Sequence, residues 1–458
     1  MACQATLAQL IQILNATPVN LTETDQAQLA AAITTDSRAV QPNEVFLALR
    51  GEQFDGHQFV PAAIAAGAIA AIVDQPSLPT LQSTSTPLLL VPDTLAAYQT
   101  IARWWRDQFA IPVIAVTGSV GKTTTKELIA AVLSQHGAVH KSAANYNNEI
   151  GVPKTLLELG SDHDFAVVEM GMRGPGEIAL LTQIARPDLA VITNVGTAHI
   201  GRLGSETAIA QAKCELLAAM PPSGVAILNH DNPLLLKTAE TVWSGKSLTF
   251  GLQGGDVQGH LIDAQTLQVN GYHFPLPLPG EHNALNYLAA LAVAQSLGLD
   301  WSPLTQGLSV TLPAGRAQRY ELPSNIVILD ETYNAGLESM LAALRLLAQT
   351  PGKRRIAVLG TMKELGDRSP EFHHQVGAAA QQLKLDGLLI LADEPEATAM
   401  ATGAEPLKAE RFSSHAAVVA RLQELVQPGD RLLFKASRAV GLDQVVNQFQ
   451  ACRESTSD

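Results

Sequence analysis

Cysteine is scarce in this 458-residue chain, and the three copies present argue against two classes of protein. Cys3, Cys214 and Cys452 are odd in number and widely separated, which fits neither a disulfide framework nor a zinc site. We therefore expect reduced thiols in a reducing compartment.

Positive charge is also scarce. The 30 lysines and arginines are outnumbered by 43 aspartates and glutamates, so the formal net charge is −13. This balance argues against a broad basic surface for nucleic acid or for an anionic membrane. An anionic ligand must therefore be held locally, by loops and by the N-termini of helices.

Targeting and membrane signals are missing as well. The first basic residue is Arg38, so the N-terminus lacks the charged start of a secretory signal. The apolar run at 61–73 is too short to span a bilayer, and we find no internal repeat or low-complexity segment. We expect a cytoplasmic protein with no membrane insertion and no nucleic-acid partner.

A strand-to-helix junction at 116–127 carries the clearest chemical signal that is present. Its two glycines allow backbone N–H groups to close on phosphate oxygens. Lys122 is placed to reach the terminal phosphates, and the Thr123 hydroxyl is placed to hold a bridging metal. The predicted phosphate-binding residues are Gly118, Ser119, Val120, Gly121, Lys122, Thr123 and Thr124.

This loop departs from the full Walker pattern, because the position that should be the first glycine is Val116. It is a shortened TGxxGKT variant. A chance glycine turn that caps a helix is the alternative, but an apolar strand, a Lys-Thr pair and a helix in succession favour a nucleotide loop.

The length and the 47% hydrophobic content suggest about three domains. Residues 1–110 carry mixed short helix and strand signals, which indicate a small α/β domain. Apolar runs without polar alternation follow, and they predict a parallel sheet in 111–313 that contains the phosphate loop. A third alternating block, 314–458, predicts a Rossmann-like domain after a turn-rich hinge at 312–316. The glycine-rich stretch 251–271 is expected to form a hairpin or loop insertion.

Three polar residues lie beside predicted strand ends or on a nearby helix. Glu169 ends one strand, His199 follows the next, and Lys213 lies in a helical stretch. Strand ends are where α/β sheets place ligands, and a carboxylate beside phosphate-bound Mg²⁺ is a common arrangement. Taken singly, the histidine also fits a structural role and the lysine a solvated helix face.

A resemblance supplies the missing context. The phosphate loop and the strings at 145–153, 169–171, 193–199, 212–215, 229–232, 280–286, 315–316 and 330–335 resemble the Mur ligase family of bacterial cell-wall synthesis. Within it, GKTTTKE at 121–127, the Asn-rich 145–148, 333–335 and LGTMKELG at 359–366 resemble the dipeptide-adding branch. Strings at 36–38, 46–51 and 55–59 resemble that family's UDP-substrate domain.

The resemblance implies a ligase in which ATP, two Mg²⁺ ions, UDP-N-acetylmuramoyl-tripeptide and D-alanyl-D-alanine meet between three domains. Lys122, Glu169, His199 and Lys213 would be catalytic. Thr123, Glu169, His199 and a carbamylated Lys213 would hold metal. His282, Asn283 and Asn286 would lie by the adenine, with Arg316 and Asp330 near the phosphates and ribose. The substrate contacts would be Ser37, Arg38, Asn145, Asn148 and Asn334. We expect a monomer.

Three departures from the family's strings fall in the third domain, at Thr361, Gly336-Leu337 and Ala436. They affect the amine substrate and not the ATP chemistry. A ligase that adds one amino acid is the nearest alternative, and the third peptide residue stays open. A folylpolyglutamate synthase-like enzyme fits less well, because its loop resembles TGTNGKGS. A nucleotide-binding regulator without catalysis is opposed by the presence of Glu169, His199 and Lys213.

The Lys122→Ala variant should lose turnover and keep its fold, because this side chain is predicted to point at phosphates and not into a core. Removing one such charge stabiliser costs about 10²–10³ in kcat. ADP release measures the loss, and circular dichroism checks the fold. A rate above about a tenth of the wild type would contradict the ATP-site assignment.

Overall fold

The computed structural model describes residues 3–51, 54–77, 81 and 85–455, and these form three α/β units, as predicted. Each unit has its own sheet. The predicted boundaries near residues 110 and 313 stay predictions. No helix among the described residues has both the length and the apolar character needed to cross a bilayer.

The N-terminal unit is built on a five-stranded sheet in the order β2-β7-β6-β5-β4, with β1 and β3 paired separately. Within the five-stranded sheet the strands are parallel except for the β2–β7 pair, and the separate β1–β3 pair is antiparallel. Its elements are β1 (Ala5–Thr6), α1 (Leu7–Leu14), β2 (Thr17–Val19), α2 (Glu23–Gln26), β3 (Leu29–Ala30), β4 (Ile33–Thr34), β5 (Val45–Leu47), α3 (Val60–Ala65), β6 (Ala70–Asp74) and β7 (Leu88–Val91).

Helix α4 (Thr94–Arg106) follows this sheet in sequence but packs on the central unit, against its helices at 151–157 and 177–185. Arg106 fixes its C-terminal end. This side chain is only 7% exposed, and its guanidinium donates to the backbone oxygens of Ala185 and Arg186 and to the Asp188 carboxylate. A charge buried in this way is tolerated because these acceptors surround it.

The central unit has a nine-stranded sheet in the order β16-β15-β14-β13-β12-β11-β8-β10-β9. Its elements are β8 (Val113–Thr117), α5 (Lys122–Leu133), β9 (Val139–Lys141), α6 (Gly151–Leu157), β10 (Phe165–Glu169), α7 (Glu177–Ala185), β11 (Leu189–Ile192), α8 (Ile200–Leu203), α9 (Glu206–Ala219), β12 (Val225–Asn229), α10 (Pro233–Val242), β13 (Lys246–Gly251), β14 (Val257–Leu261), β15 (Thr266–Val269), β16 (Tyr272–Pro275) and α11 (Glu281–Ser296).

Strands β8, β10 and β11 are buried along their whole length, as their unbroken apolar sequences predict. They are parallel, so their carboxyl ends meet at one edge of the sheet. The expected insertion at 251–271 is the antiparallel β14–β15–β16 meander, which widens the sheet on the far side.

The C-terminal unit has a six-stranded sheet in the order β17-β18-β22-β19-β20-β21, in which only β17 is antiparallel. Its elements are β17 (Gln318–Leu322), β18 (Ile326–Glu331), α12 (Leu337–Gln349), β19 (Arg355–Gly360), α13 (Ser369–Gln382), β20 (Gly387–Leu391), α14 (Glu396–Gly403), β21 (Ala409–Arg411), α15 (His415–Leu425), β22 (Arg431–Lys435) and α16 (Asp443–Ser455). Short 3₁₀ turns cover Gly56–Phe59, Gln75–Ser77, Ser302–Gln306, Pro323–Asn325, Gly366–Arg368 and Arg438–Val440.

Candidate active site

A cleft of about 1620 Å³ opens at the carboxyl ends of β8, β10 and β11, and all three units contribute to its walls. The N-terminal unit provides Thr34 and Asp36, and the C-terminal unit provides Glu331 and Lys435. The phosphate loop lies on the central wall. A cleft at this edge is the usual ligand position in a parallel α/β sheet.

The phosphate loop joins β8 to α5, and a side chain at either of its two glycines would collide with a different neighbour. A Cβ on Gly118 would lie 1.9 Å from Thr193 Oγ1, and one on Gly121 would lie 2.6 Å from Asn286 Oδ1. Both glycines also have positive φ, +152° and +82°. Lys122 Nζ donates to Gly118 O at 2.8 Å, so this amine contacts the backbone of its own loop. Burial lowers the pKa of Lys122, and the Glu169 charge opposes that shift.

Glu169 ends β10 beside the phosphate loop and is 2% exposed. Asn147 Nδ2 donates to its Oε1 at 2.8 Å. Its Oε2 has no hydrogen-bond partner among the described residues. The Thr123 hydroxyl is buried nearby at the start of α5. A buried carboxylate oxygen that accepts no hydrogen bond from the described residues and a hydroxyl oxygen are both hard ligands. These residues therefore fit Mg²⁺.

Two residues that support Glu169 were missed as site residues by sequence reasoning. Lys126 is fully buried, with Nζ 3.8 Å from Glu169 Oε2 and 3.1 Å from Glu127 Oε1. It also donates to Ser142 O at 2.7 Å. A lysine on the first turns of a helix looks solvated in sequence, whereas Asn147 carried a weak signal as one of three nearby asparagines.

Lys213, on α9, is 1% exposed and has no hydrogen-bond or ion-pair partner among the described residues. Burial lowers its pKa well below the usual range, and the nearby Lys122 charge lowers it further. An unpaired buried lysine is expensive unless it is neutral or modified. It is not among the residues that line the cleft.

His199 lies on the cleft wall, in the left-handed region with φ +66°. Its Nδ1 contacts the carboxylate of Glu364, which comes from the C-terminal unit. The imidazole is the main cause of the lowered pKa of the Glu364 carboxyl. This partner could not be inferred from the sequence, because the two residues belong to different units.

The residues predicted to lie by adenine form the start of α11. Asn283 Oδ1 accepts from Asn286 Nδ2 at 3.3 Å, and Asn286 Oδ1 accepts from the Thr125 hydroxyl at 3.1 Å. The second bond ties α11 to α5, the helix that begins at the phosphate loop. His282 lies on the same wall, and burial lowers its pKa to about 4.

Arg316 reaches the cleft from the C-terminal unit and stacks on Tyr333, with Cζ 3.8 Å from the ring centroid. Its Nε is buried without a hydrogen-bond partner among the described residues, as expected of a group kept for a ligand. Asp330 is placed differently. It is buried, accepts from the Thr332 N–H and hydroxyl, and is not on the cleft wall, whereas its neighbour Glu331 is.

The predicted substrate contacts divide into two groups. Asn145, Asn148 and Asn334 line the cleft, and Asn148 also caps α6 by accepting from Gly151 N–H at 2.9 Å. Ser37 and Arg38 are not on the wall. Arg38 is exposed and pairs with Asp36, and it is Asp36 that faces the cleft.

Most of the residues in the third unit that differ from the family's strings do not line the cleft. Leu337, Thr361 and Ala436 are buried in packing, and Thr361 Oγ1 accepts from Asp393 N–H at 3.0 Å. Gly336 alone of the four lies on the wall. Their effect on the amine pocket is therefore mainly indirect.

Three family descriptions match consecutive parts of the chain: Mur ligase family, catalytic domain at 30–106, Mur ligase middle domain at 116–294, and Mur ligase, glutamate ligase domain at 315–438. The chain is also 62% identical to the UDP-N-acetylmuramoyl-tripeptide–D-alanyl-D-alanine ligase of Synechocystis sp., over 92% of both proteins. The chain belongs to the Mur ligase family. The ligase of the same name from Escherichia coli is 37% identical over 97% of this chain and 98% of its own.

Solved Mur ligase structures have the same fold. MurF from Acinetobacter baumannii superposes with a TM-score of 0.89 at 34% identity, covering 98% of this chain and 99% of that one. MurF from Thermotoga maritima, solved in complex with ADP, has a TM-score of 0.83 at 32% identity, covering 93% of this chain and 98% of that one.

The imidazole of His282 should stay neutral at any pH above about 5, because its folded pKa is about 4 and its ordinary value is about 6.5. Between these values the unfolded chain binds the extra proton. The contribution of the buried, neutral His282 to the free energy of unfolding is therefore fully present above about pH 6.5, and it falls as the pH falls toward 4. NMR titration of the His282 ring, assigned with His282→Gln, measures the pKa. A midpoint near 6.5 would contradict this.

Proposed function

We propose that this chain is an ATP-dependent ligase that joins D-alanyl-D-alanine to the terminal carboxylate of UDP-N-acetylmuramoyl-tripeptide, in peptidoglycan precursor synthesis. One observation carries the proposal: three units meet in one cleft around a phosphate loop and a buried carboxylate. The 62% identity to a ligase of that name supports the choice of substrates. We place the reaction in the cytoplasm.

The chemistry follows from the wall residues. The γ-phosphoryl group of ATP passes to the tripeptide carboxylate and gives an acyl phosphate, which the amine of the dipeptide attacks as phosphate leaves. Phosphoryl transfer requires alignment and neutralised charge rather than covalent help from the protein. The loop N–H groups and Lys122, released from Gly118 O, supply this from the central wall. Arg316 supplies positive charge from the opposite side.

We expect two divalent cations at the remaining donors. Thr123 and the open Oε2 of Glu169 would hold the first Mg²⁺, and His199 with a carbamylated Lys213 would hold the second. Mg²⁺ bound there neutralises the charge on the transferring phosphoryl oxygens. An unmodified, protonated Lys213 would repel a cation, and this is the physical reason to expect the carbamate.

Lys213 should carry a carbamate, because the lowered pKa of this buried amine keeps it uncharged, and hence reactive with CO₂, at lower pH than an exposed lysine. Protein equilibrated with ¹³C-bicarbonate should show one carbamate NMR signal that Lys213→Ala lacks. This variant should be nearly inactive and partly rescued by short carboxylates. The matched control is Lys237→Ala, which removes an exposed lysine of α10. Full activity of Lys213→Ala would remove this residue from the site.

An amine panel tests the substrate assignment. With the UDP-tripeptide, D-alanyl-D-alanine should release ADP faster than any single amino acid tried with its matching acceptor. A pocket built for the extra amide leaves polar groups unpaired with a shorter amine, which can discriminate by about 10⁴ or more. If diaminopimelate, lysine or D-glutamate were the better amine, the branch assignment would be wrong although ligase chemistry remained.

A further inference from the structure

The segment 196–201, here called the histidine loop, carries His199, and the C-terminal unit contacts it at two places. At the first, Thr197 N–H donates to Glu338 Oε1 at 2.6 Å and its hydroxyl donates to Oε2 at 3.2 Å. At the second, the Glu364 carboxylate contacts His199 Nδ1, and Gly201 N–H donates to Glu364 O at 3.1 Å.

Two glycines make this approach possible. A Cβ on Gly196 would lie 2.5 Å from Glu338 Oε1. A Cβ on Gly201 would lie 2.5 Å from Gly366 N and 2.9 Å from Glu364 O. The atoms facing Gly201 are backbone, so they cannot rotate away. Gly201 itself does not have positive φ, so the requirement for glycine comes from the C-terminal unit and not from the local turn.

The loop needs an external support because of the conformation of His199. A non-glycine residue at φ +66° is strained and persists only where the surroundings hold it. Glu364 is itself at φ +65°. A carboxylate against Nδ1 favours the proton on that nitrogen and leaves Nε2 free to bind a cation. Arg202 also lies 3.7 Å from the Glu364 carboxylate, and this charge attracts the carboxylate toward the histidine loop.

We propose that Glu338 and Glu364 are positioning residues, through which the docked C-terminal unit sets the orientation of His199. The inference rests on the proposed function, in which His199 is a ligand of the second Mg²⁺. If the C-terminal unit moves away, both carboxylates leave with it and the histidine loses its orienting partner. The phosphate site is then complete only when the unit that carries the amine substrate is seated.

Gly201→Ala tests this without removing any functional group. The added methyl suits a helix start in the central unit but collides with the backbone of Gly366. We expect kcat to fall about 100-fold, as for a small misplacement of a reacting group, while the KM for ATP changes by less than about twofold. The matched control is Gly174→Ala, which should keep the wild-type rate because the nearest atom to its Cβ is Glu177 Oε1 at 3.6 Å.

Hydrogen exchange at single amides tests whether the two contacts between the histidine loop and the C-terminal unit form and break together. Glu338→Ala is read at the Gly201 amide, and Gly201→Ala is read at the Thr197 amide, so each variant reports on the other contact. With ADP bound, each distant amide should exchange at least about tenfold faster than in the wild type. Acceleration confined to the mutated contact would overturn the proposal.

Glu364 variants separate positioning from bulk stability. Glu364→Ala should lose about 10- to 100-fold in kcat, whereas Glu364→Gln, which keeps an acceptor for His199, should retain most of the rate. Glu371→Ala is the matched control, because it removes an exposed carboxylate whose partners, Arg368 and Gln375, belong to the same unit and not to the histidine loop. These variants also carry the test if Gly201→Ala fails to fold.

The outcomes distinguish this inference from the function it rests on. Wild-type kcat and a protected Thr197 amide in Gly201→Ala would overturn the positioning role while the ligase assignment stands. A wild-type protein that shows the exchange coupling but releases no ADP with the tripeptide and the dipeptide would overturn the proposed function instead.

Discussion

A buried carboxylate must be neutralised, and the centre of this molecule is arranged around that requirement at Glu169. Asn147 holds one of its oxygens, and the fully buried Lys126 places a positive charge 3.8 Å from the other. Lys126 is in turn balanced by Glu127, which contacts Lys141 at the protein surface. The chain of alternating charges runs from solvent to the phosphate loop. Within the part of the chain that the structure describes, it leaves one carboxylate oxygen without a hydrogen bond, which is the property a cation site needs.

Much of the central unit could be predicted from the sequence, because buried parallel strands are apolar throughout. The runs at 165–169, 189–192 and 225–229 are strands for that reason, and the phosphate loop follows its strand as its glycines indicate. The polar residues at the start of α11 were harder to place. Family strings located Asn283 and Asn286, but the bond from the Thr125 hydroxyl to Asn286 follows only from the packing of α11 on α5.

The partners of the histidine loop could not be predicted. Glu338 and Glu364 are separated from it by more than a hundred residues and belong to a unit with a different sheet, so no local pattern connects them. Asp330 shows the converse difficulty. A string match pointed to it, yet alternation along β18 turns it into the core and presents the next residue, Glu331, to the cleft. A motif locates the segment, whereas burial and alternation along the strand decide which of its side chains lines the cleft.

The placement of α4 has a consequence for how the chain divides. This helix belongs to the N-terminal unit by sequence order but covers α6 and α7, and the guanidinium of Arg106 closes the backbone at the end of α7. A fragment beginning at residue 111 would expose that apolar face to water. The smallest autonomous nucleotide-binding fragment is therefore expected to begin before Thr94. Because α4 also contacts α1 and β6, the same helix joins the N-terminal sheet to the central unit.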